Sequence, residues 1–504
     1  MIIRKLLNGV RNLLAIIGLF SLLAGSYGAY HVAKSYHMLP RLLAIKALKK
    51  FGLEQSALAE YFKPDSVRPA GLVLPDLNDL NWKGQGARVD RRLLPVVYNH
   101  QGRPIPRAWM RQGMEAQPAS SSLRIIVVAN SQEFLSAIKK ANPGDEISLQ
   151  PGVYKIKSRN IEITRGGTLR NPIVVRSTNL GDVIIELDSQ EGFWINVPYW
   201  TFENLEFKGV TRNHDYGEHA FHIVGGAEGF VLRNSRLHEF NAMIKANGYR
   251  GRDGETRFPD NALIENNHFY NSEIRRTSNP VTFIDVVGPD NWIVRGNLIA
   301  DFSKGEGDRI SYAAFLKGNS SNGVFENNLV IGEYATTGGV RVGLSLGGGG
   351  SGARFSRNAS NEVEHTGGIV RNNIVMYCSD VGLYLNKARD TKVLNNTFYR
   401  TMGIDVRFQV SSTVIRNNLI NSRIKERDGG VIISDHNLQG DNNDFAAWFK
   451  NPEKGDFKLL DGDDFVDKGA ESVLSKEDFC GKTRTGLPDI GALEYADNER
   501  CRVL

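Results

Sequence analysis

The chain contains few cysteines and few prolines for its length. Three cysteines among 504 residues exclude a small disulfide scaffold and zinc modules built on CxxC pairs. Seventeen prolines exclude a proline-rich linker protein, and a hydrophobic content of 41% excludes a wholly disordered chain. The excess of basic over acidic residues is also small, with a net charge of only +6. Such an excess suits nucleic acid, anionic lipid or an acidic polysaccharide without choosing among them.

Long hydrophobic runs are scarce as well, and the clearest one lies at the amino terminus. Arg4, Lys5 and Arg11 precede an uncharged apolar stretch at residues 13–33. At about 1.5 Å per residue, a helix over this stretch would span roughly 30 Å, the hydrocarbon thickness of a bilayer. Residues 1–34 are therefore predicted to be a signal anchor or a signal peptide. The protein is expected on the periplasmic or cell-surface side, either anchored in the inner membrane or secreted.

Residues 35–122 are predicted to be a membrane-proximal linker region with helical and extended parts. Residues 39–51 show a basic amphipathic pattern, which is typical of a helix at a membrane surface. The region ends in the Ser-rich stretch 117–122, whose composition is that of a linker. No catalytic pattern occurs in it.

A repeat of the form apolar-x-Asn-Asn-x-apolar runs through the middle of the chain. The first Asn position recurs after 30, 32, 30, 31, 45, 23 and 22 residues, as counted along the sequence. Its occurrences are Asn204, Asn234, Asn266, Gly296 in place of Asn, Asn327, Asn372, Asn395 and Asn417. A period of 20 to 35 residues with short β-branched runs in each unit is typical of a solenoid.

These repeats predict an all-β fold, a right-handed parallel β-helix, over residues 123–450, followed by a closing segment at 451–504. Asn suits the sharp corners because it tolerates the left-handed backbone region, and stacked Asn side chains can hydrogen-bond along the solenoid. A β-sandwich is the alternative, although sandwiches do not repeat one turn motif so often. Glycines at 347–352 lie in the longest interval and predict a flexible loop beside a binding face.

The first coils resemble a known family. The matching motifs lie at residues 134–138, 143–149, 152–154, 166–174 and 200–207. Together they make residues 127–210 similar to the entry coil of the family-six polysaccharide lyases, the chondroitinase B and alginate lyase group. The resemblance implies an N-terminal helix capping the solenoid. It also implies an exported enzyme that cleaves an acidic, uronate-containing polysaccharide by β-elimination.

A second, shorter resemblance concerns chemistry. In the family, a lysine base is followed by an arginine acid on the next coil, and Lys387 and Arg407 match that layout at a spacing of twenty residues. The resemblance therefore implies that Lys387 and Arg407 are catalytic. It also implies a calcium ion, although Asp380 and Gly382 stand where the family has its two calcium-binding glutamates.

Uronate β-elimination also needs cations to neutralise the sugar carboxylate. Arg341, Lys317 and Lys245 lie in strand-like segments of successive coils and are predicted to line a cationic groove with Arg407. Tyr384 lies on the same segment as Lys387 and is a candidate acid or substrate contact.

Histidines and carboxylates offer further candidates. His219 and His222 flank one strand and are predicted to face opposite sides of it. Glu362, Glu364 and His365 cluster in the long interval. With Asp380, the two glutamates are candidate ligands of a divalent cation, while His365 is a candidate base or substrate contact.

Other functions remain open on the sequence. Asp285, Asp380 and Asp405 would suit a glycoside hydrolase on the same fold, and a uronan C5-epimerase would share the proton-abstraction step. A non-catalytic polysaccharide-binding β-helix is the non-enzyme alternative. Nucleic-acid binding is not expected, since no basic stripe interleaves with aromatic residues. The protein is expected to be a monomer.

The three cysteines separate into a pair and a single residue. Cys480 and Cys501 close a loop of about twenty residues, where a disulfide would contribute roughly 3 kcal/mol in an oxidising compartment. Cys378 is predicted to be buried within the solenoid.

Overall fold

The structure is a computed structural model that describes residues 124–348 and 350–495, together with 67, 68, 72 and 503. Two compact units divide the chain. One comprises residues 1–65 and 306–308, and the other comprises residues 66–305 and 309–504. The second unit contains every strand and helix named below.

Three parallel sheets run along the solenoid, and a typical coil contributes one strand to each. The first sheet consists of Ile125–Val128, Glu146–Leu149, Ile173–Arg176, Trp200–Glu203, Val231–Arg233, Leu263–Glu265, Ile293–Arg295, Val324–Glu326, Ile369–Arg371, Thr391–Leu394, Ser412–Arg416 and Val431–Asp435. The second sheet consists of Gly152–Lys157, Val183–Asp188, Glu206–Gly209, Arg236–His238, His268–Tyr270, Leu298–Ala300, Leu329–Ile331, Ile374–Met376, Thr397–Tyr399, Leu419–Ile420 and Leu438–Gln439. The third sheet consists of Ile161–Ile163, Phe193–Ile195, His219–Val224, Ala242–Asn247, Val281–Val287, Ile310–Lys317, Val340–Gly347, Leu383–Asn386, Ile404–Arg407 and Ile424–Arg427. The predicted parallel β-helix is confirmed.

Short elements decorate the three sheets. The helices are α1 (Ser131–Lys140) and α2 (Asn442–Trp448), with 3₁₀ turns at Ala353–Phe355 and Pro452–Lys454. The additional strands are a hairpin (Tyr249–Arg250 with Thr256–Arg257), a small parallel sheet (Ser320–Ser321, His365–Thr366, Ala388–Arg389) and an antiparallel pair (Phe449–Asn451 with Asp456–Leu459).

Helix α1 is the N-terminal cap that the sequence predicts. Asn130 begins it, because its side chain accepts a hydrogen bond from the backbone N–H of Glu133. Phe134 is fully buried and packs edge-on against Tyr154 and Phe193. The helix thereby covers apolar side chains that the first coils would otherwise leave in water.

Asparagine side chains form a continuous hydrogen-bonded ladder inside the corner between the first and second sheets. The first Asn of each repeat adopts a positive φ, as at Asn327 (56°) and Asn395 (51°). The second Asn is buried in every member but the last, and its side-chain amide donates to the side-chain oxygen of the next coil's Asn at 2.9–3.1 Å. The ladder comprises Asn267, Asn297, Asn328, Asn373, Asn396, Asn418 and Asn437. The predicted stacking of Asn side chains is confirmed.

A second ladder, of alternating charge, lies beside the first on the first sheet. Its glutamates and arginines occupy register-paired positions, with N–O distances from 2.5 to 3.9 Å. Burial alone would raise the pKa of Glu203, but Arg233 and Arg176 together hold it below the usual value. The members are Arg176, Glu203, Arg233, Glu265, Arg295, Glu326 and Arg371. The repeat motif alone did not reveal this ladder.

The C-terminal segment packs along the asparagine corners. Asn327, Asn372 and Asn395 donate side-chain hydrogen bonds to backbone carbonyls within residues 477–489. Aromatic residues of the same segment, such as Phe457 and Phe465, cover the apolar outer face of the second sheet. The polar rows of the candidate active site lie on the outer face of the third sheet.

The structure also bears on the cysteine and membrane predictions. Cys480 is disulfide-bonded, and Cys378 is a free thiol that is fully buried in the solenoid, as predicted. Cys501 and the predicted anchor at residues 1–34 lie outside the described residues. Within the described part of the chain, no helix is long and apolar enough to cross a membrane.

Candidate active site

The outer face of the third sheet presents two rows of polar side chains. The central row follows the strand register through Trp194, His222, Lys245, Asp285, Phe315, Ser345, Tyr384, Asp405 and Lys425. The edge row lies two residues further along each strand and includes Asn247, Lys317, Asn386, Arg407 and Arg427. Four predicted site residues therefore lie on one face, namely Lys245, Lys317, Tyr384 and Arg407.

Tyr384 is the meeting point of two arginines at the C-terminal end of this face. Its hydroxyl accepts hydrogen bonds from Arg407 Nη1 at 3.2 Å and from Arg427 Nη2 at 3.3 Å. Arg427 also pairs with Asp405 at 2.6 Å, and Arg407 pairs with Asp428. Burial raises the pKa of Tyr384 despite the two arginines, so the phenol keeps its proton at neutral pH.

Arg427 was not found by sequence reasoning, although a signal was present. The step of twenty residues that links Lys387 to Arg407 also links Arg407 to Arg427. In the register, Arg407 pairs with Arg427 on one side and with Asn386 on the other. Lys387 is therefore one residue beyond the strand rather than opposite Arg407.

Lys387 lies at the corner with a left-handed backbone (φ 58°). Its Nζ donates to the carbonyl oxygen of Asn361 at 2.7 Å. The same Nζ is 5.8 Å from the centroid of the Phe408 ring, and the guanidinium carbon of Arg407 is 4.5 Å from it. The two residues assigned by resemblance thus border one aromatic ring.

Lysines and one aspartate occupy the middle of the face. Lys245 Nζ lies 2.9 Å from Asp285 Oδ1, and Lys317 Nζ lies 4.0 Å from the centroid of the Phe315 ring. Burial lowers the pKa of Lys317, and the positive charge of Lys245 lowers it further, while Asp285 and Glu364 oppose the shift. A lysine of this kind loses its proton more easily than an exposed one.

The structure does not bring Arg341 to this face, contrary to the prediction of a groove residue. Its side chain is fully buried, and it bonds to the carbonyls of Gly338 and Gly332 and pairs with Asp301 at 3.4 Å. The strand that carries it, Val340–Gly347, is buried at every position. An alternating pattern could not show which way this side chain points.

His365 is likewise buried, inside the small parallel sheet. The Gly323 N–H donates to its Nε2 at 3.2 Å, so its Nδ1 carries the proton and donates to Ser320 Oγ at 2.8 Å. Burial lowers the pKa of His365 to about 3. This placement keeps His365 neutral and away from a substrate.

We expect acid destabilisation from this histidine. Between its unfolded pKa of 6.5 and its folded pKa of about 3, only the unfolded chain binds the proton, so stability falls as pH falls through that window. The slope from one such group approaches about 1.4 kcal/mol per pH unit. Chemical unfolding at about pH 7 and about pH 5 should show a shallower slope for His365→Gln. Asn358→Gln, a change at an exposed position with no titratable group, should leave the slope unchanged, and equal slopes in all three proteins would contradict this account.

The predicted metal ligands do not form one group. Glu364 is buried and accepts a hydrogen bond from the Gly318 N–H at 2.8 Å, whereas Glu362 is exposed and Asp380 lies near Asp405. Within the described residues, no three His, Cys, Asp or Glu side chains are arranged to hold a metal ion. Glu362, Glu364 and Asp380 therefore do not converge on one cation, and a calcium ion stays a prediction of the family resemblance.

Two insertions lie along the edge of the outer face of the third sheet. The hairpin Tyr249–Arg250/Thr256–Arg257 follows one third-sheet strand, and the loop around Ala353–Phe355 follows another. Arg357 of the loop pairs with both Asp260 and Asp290, and its guanidinium lies 4.5 Å from the Phe258 ring centroid. The glycine-containing loop is thus attached to the neighbouring insertion.

His219 and His222 do not face opposite sides, so that prediction is wrong. Their ring centroids are 5.2 Å apart. The strand His219–Val224 departs from strict alternation, because Ala220 and Phe221 are both buried between the two histidines. Burial, together with the charges of His222 and Lys245, lowers the pKa of His219 well below its usual value.

The fold and this face define a class of protein, the parallel β-helices that resemble polysaccharide lyases. Residues 128–222 match the family described as chondroitinase B, which confirms the resemblance inferred from the first coils. The solved structure of pectate lyase Pel9A has a TM-score of 0.52 with 17% identity, over 74% of this chain and 97% of that chain. That likeness shows the fold.

Two curated relatives are pectate lyases. Pectate lyase L of Dickeya chrysanthemi is 31% identical over 141 residues, which are 24% of this chain and 32% of that protein. Pectate lyase L of Dickeya dadantii (strain 3937) is 29% identical over 144 residues, again 24% of this chain and 32% of that protein. The chain therefore spans about a third of the length of these relatives.

Proposed function

We propose that this protein acts on an acidic, uronate-containing polysaccharide and cleaves it as a lyase by β-elimination. The observation that carries the proposal is the convergence of Arg407 and Arg427 on Tyr384, with Lys387 beside Arg407. The matches to chondroitinase B and to two pectate lyases support the same class of substrate.

Each of these side chains has a separate role in the proposed β-elimination. Arg427 and Arg407 attract the sugar carboxylate, and a planar guanidinium suits that group bidentately. Neutralising the carboxylate makes the neighbouring C5 proton more acidic, and Lys387 takes that proton as the base. The electrons of the C5–H bond form the C4–C5 double bond as the C4–O bond breaks. Arg407 assists the departing oxygen, and the protonated phenol of Tyr384 is the nearest alternative donor.

Lys317 is the competing base. Burial lowers its pKa, and both Lys317 and Lys387 lie within electrostatic reach of Glu364. Lys317→Met and Lys387→Ala variants therefore separate the two assignments. The base is the lysine whose loss removes turnover while polymer binding persists.

The direct test incubates the protein with alginate, polygalacturonate and dermatan sulfate and follows the ultraviolet absorbance of the unsaturated product, which β-elimination forms and hydrolysis does not. Loss of each catalytic side chain should reduce the rate by about 10² to 10⁴ in Lys387→Ala and Arg407→Ala. Lys155→Ala, an exposed position on the second sheet, is the matched control and should retain the rate. Unchanged activity in both site variants would overturn the assignment, and no product across a broad uronan panel would overturn lyase activity.

A glycoside hydrolase is the second candidate, because one observation favours it. Burial raises the pKa of Asp405, Asp380 raises it further, and Oδ1 of Asp405 has no hydrogen-bond partner. A carboxyl of this kind can act as a general acid. New reducing ends without a double bond would identify hydrolysis. Altered uronate stereochemistry at constant chain length would identify an epimerase, and binding without any product would identify a non-catalytic binder.

We also propose export, on the periplasmic or cell-surface side. The apolar stretch at residues 13–33 supports an anchor or signal peptide, and the disulfide at Cys480 is of a kind that forms in oxidising compartments.

A further inference from the structure

The N-terminal half of the third sheet carries a second group of polar and aromatic side chains. Trp194, His222 and Lys245 follow one another in the central row. The rings of Trp194 and Tyr249 meet edge to face, with centroids 5.6 Å apart and planes at 80°. Tyr249 is 43% exposed, although large aromatic rings are usually buried.

His222 is held between two oxygen atoms. Its Nδ1 lies 3.3 Å from a Glu191 carboxylate oxygen, and its Nε2 lies 2.9 Å from Asn247 Oδ1. The amide nitrogen of Asn247 donates to the Gly248 carbonyl, which orients its oxygen toward the imidazole. The two contacts fix the orientation of the imidazole ring on the face of the sheet.

A carboxylate lies beside each of the two basic side chains of this group. Glu191 pairs with His222, and Asp285 pairs with Lys245 at 2.9 Å. The group differs from the other end of the face, where two arginines converge on the hydroxyl of Tyr384. Paired charges beside an aromatic ring suit a sugar ring, since hydroxyl groups can bond to the charged planar groups while the apolar face of the sugar packs on the indole.

The two ends of the face are far apart. The central row takes six strand steps from Trp194 to Tyr384, and at about 4.8 Å per step this is roughly 29 Å. A single ligand that contacts both ends must be a polymer. A short oligosaccharide bound at Tyr384 would not reach Trp194.

We propose that Trp194, Tyr249, His222, Glu191 and Asn247 form a distal sugar-binding site that holds the same polysaccharide chain away from the point of cleavage. The proposal rests on the proposed function for its class of ligand. It makes the length of the chain, as well as its charge, a determinant of binding.

The test compares long and short substrates. Trp194→Ala should raise the KM for the uronan polymer by about tenfold or more, while KM and kcat for tri- and tetrasaccharides of the same uronan stay unchanged. Phe355→Ala, which removes an exposed aromatic side chain from the loop around Ala353–Phe355, is the control and should not discriminate by length. A Trp194→Ala effect that is equal on long and short substrates, or absent on both, would overturn the proposal.

Binding measured without turnover separates this proposal from the proposed function. Affinity electrophoresis through gels containing sodium alginate or polygalacturonate should retard the wild-type protein, and Trp194→Ala should be retarded less. Retardation of both proteins to the same extent would overturn the distal site and leave the proposed function standing. Absence of retardation of the wild-type protein in every uronan gel would overturn both. His222→Ala should weaken retardation in the same way, with melting temperatures confirming that each variant is folded.

Discussion

Lys387→Gly is expected to be more stable than Lys387→Ala by about 1 kcal/mol, while both variants lose activity. Lys387 has φ at 58°, a conformation that costs an L-residue with a Cβ atom but not glycine. Both substitutions remove the bond from Nζ to the Asn361 carbonyl, so their difference isolates the backbone. The usual order, in which alanine is the more stable, should therefore be inverted here.

Other coils show what this corner ordinarily contains. Gly225, Gly288 and Gly318 follow third-sheet strands at the equivalent point, with φ of 51°, 99° and 74°. Lys387 and Phe408 occupy the same left-handed corner with side chains, at 58° and 73°. Strain of this kind is retained where a side chain is needed for function.

The measurement pairs unfolding with turnover. Chemical unfolding gives the order of stability, and the absorbance of the unsaturated product gives the rate, which should fall by about 10² to 10⁴ in both variants. Lys392 is the control position, since it lies in the strand Thr391–Leu394, where alanine should be more stable than glycine. The same order at both positions would contradict the strain argument, and retained turnover would contradict the role of Lys387.

Asn396→Ala is expected to lower the free energy of unfolding by about 3 kcal/mol. Its side-chain amide donates to the carbonyls of Val370 and Leu394 and to the side chain of Asn418. Its oxygen accepts from both the backbone and the side chain of Asn373. Alanine leaves several buried polar groups without a partner, which is costly.

The position within the ladder provides the control. Asn437 is the last member and is only partly buried, so Asn437→Ala should cost clearly less than Asn396→Ala. Asn396→Asp should be at least as destabilising as alanine, because a carboxylate cannot donate to the two carbonyls. Equal losses at Asn396 and Asn437 would show that burial inside the ladder does not add to the cost of losing the side chain.

The corners of this fold were predictable because their chemistry is local. A left-handed backbone selects Asn or Gly at one position in each coil, and that choice repeats in the sequence regardless of what lies around it. Helix α1 was predictable for a similar reason, since its cap and its apolar positions are close in sequence. The direction of the Arg341 side chain could not be predicted from the sequence, because the strand Val340–Gly347 is buried throughout and shows no alternation.

Site residues were harder to assign where coils differ in length. The resemblance placed Lys387 and Arg407 on neighbouring coils, but it did not give their register, in which Asn386 is the strand partner of Arg407. One residue of difference moves a side chain from the sheet face to the corner. Trp194 and Arg357 escaped notice because each acts through contacts with insertions whose path the sequence does not specify.

The charge ladder limits how this solenoid can change in length. Arg176, Glu203, Arg233 and the members after them alternate in sign from coil to coil. Removing or duplicating a single coil within this stretch would place two like charges side by side in a buried position. The asparagine ladder has no such parity, because every member both donates and accepts. Adding or deleting two coils would keep the alternation of charge, whereas adding or deleting one coil would break it. The ladder therefore favours changes in length by an even number of coils.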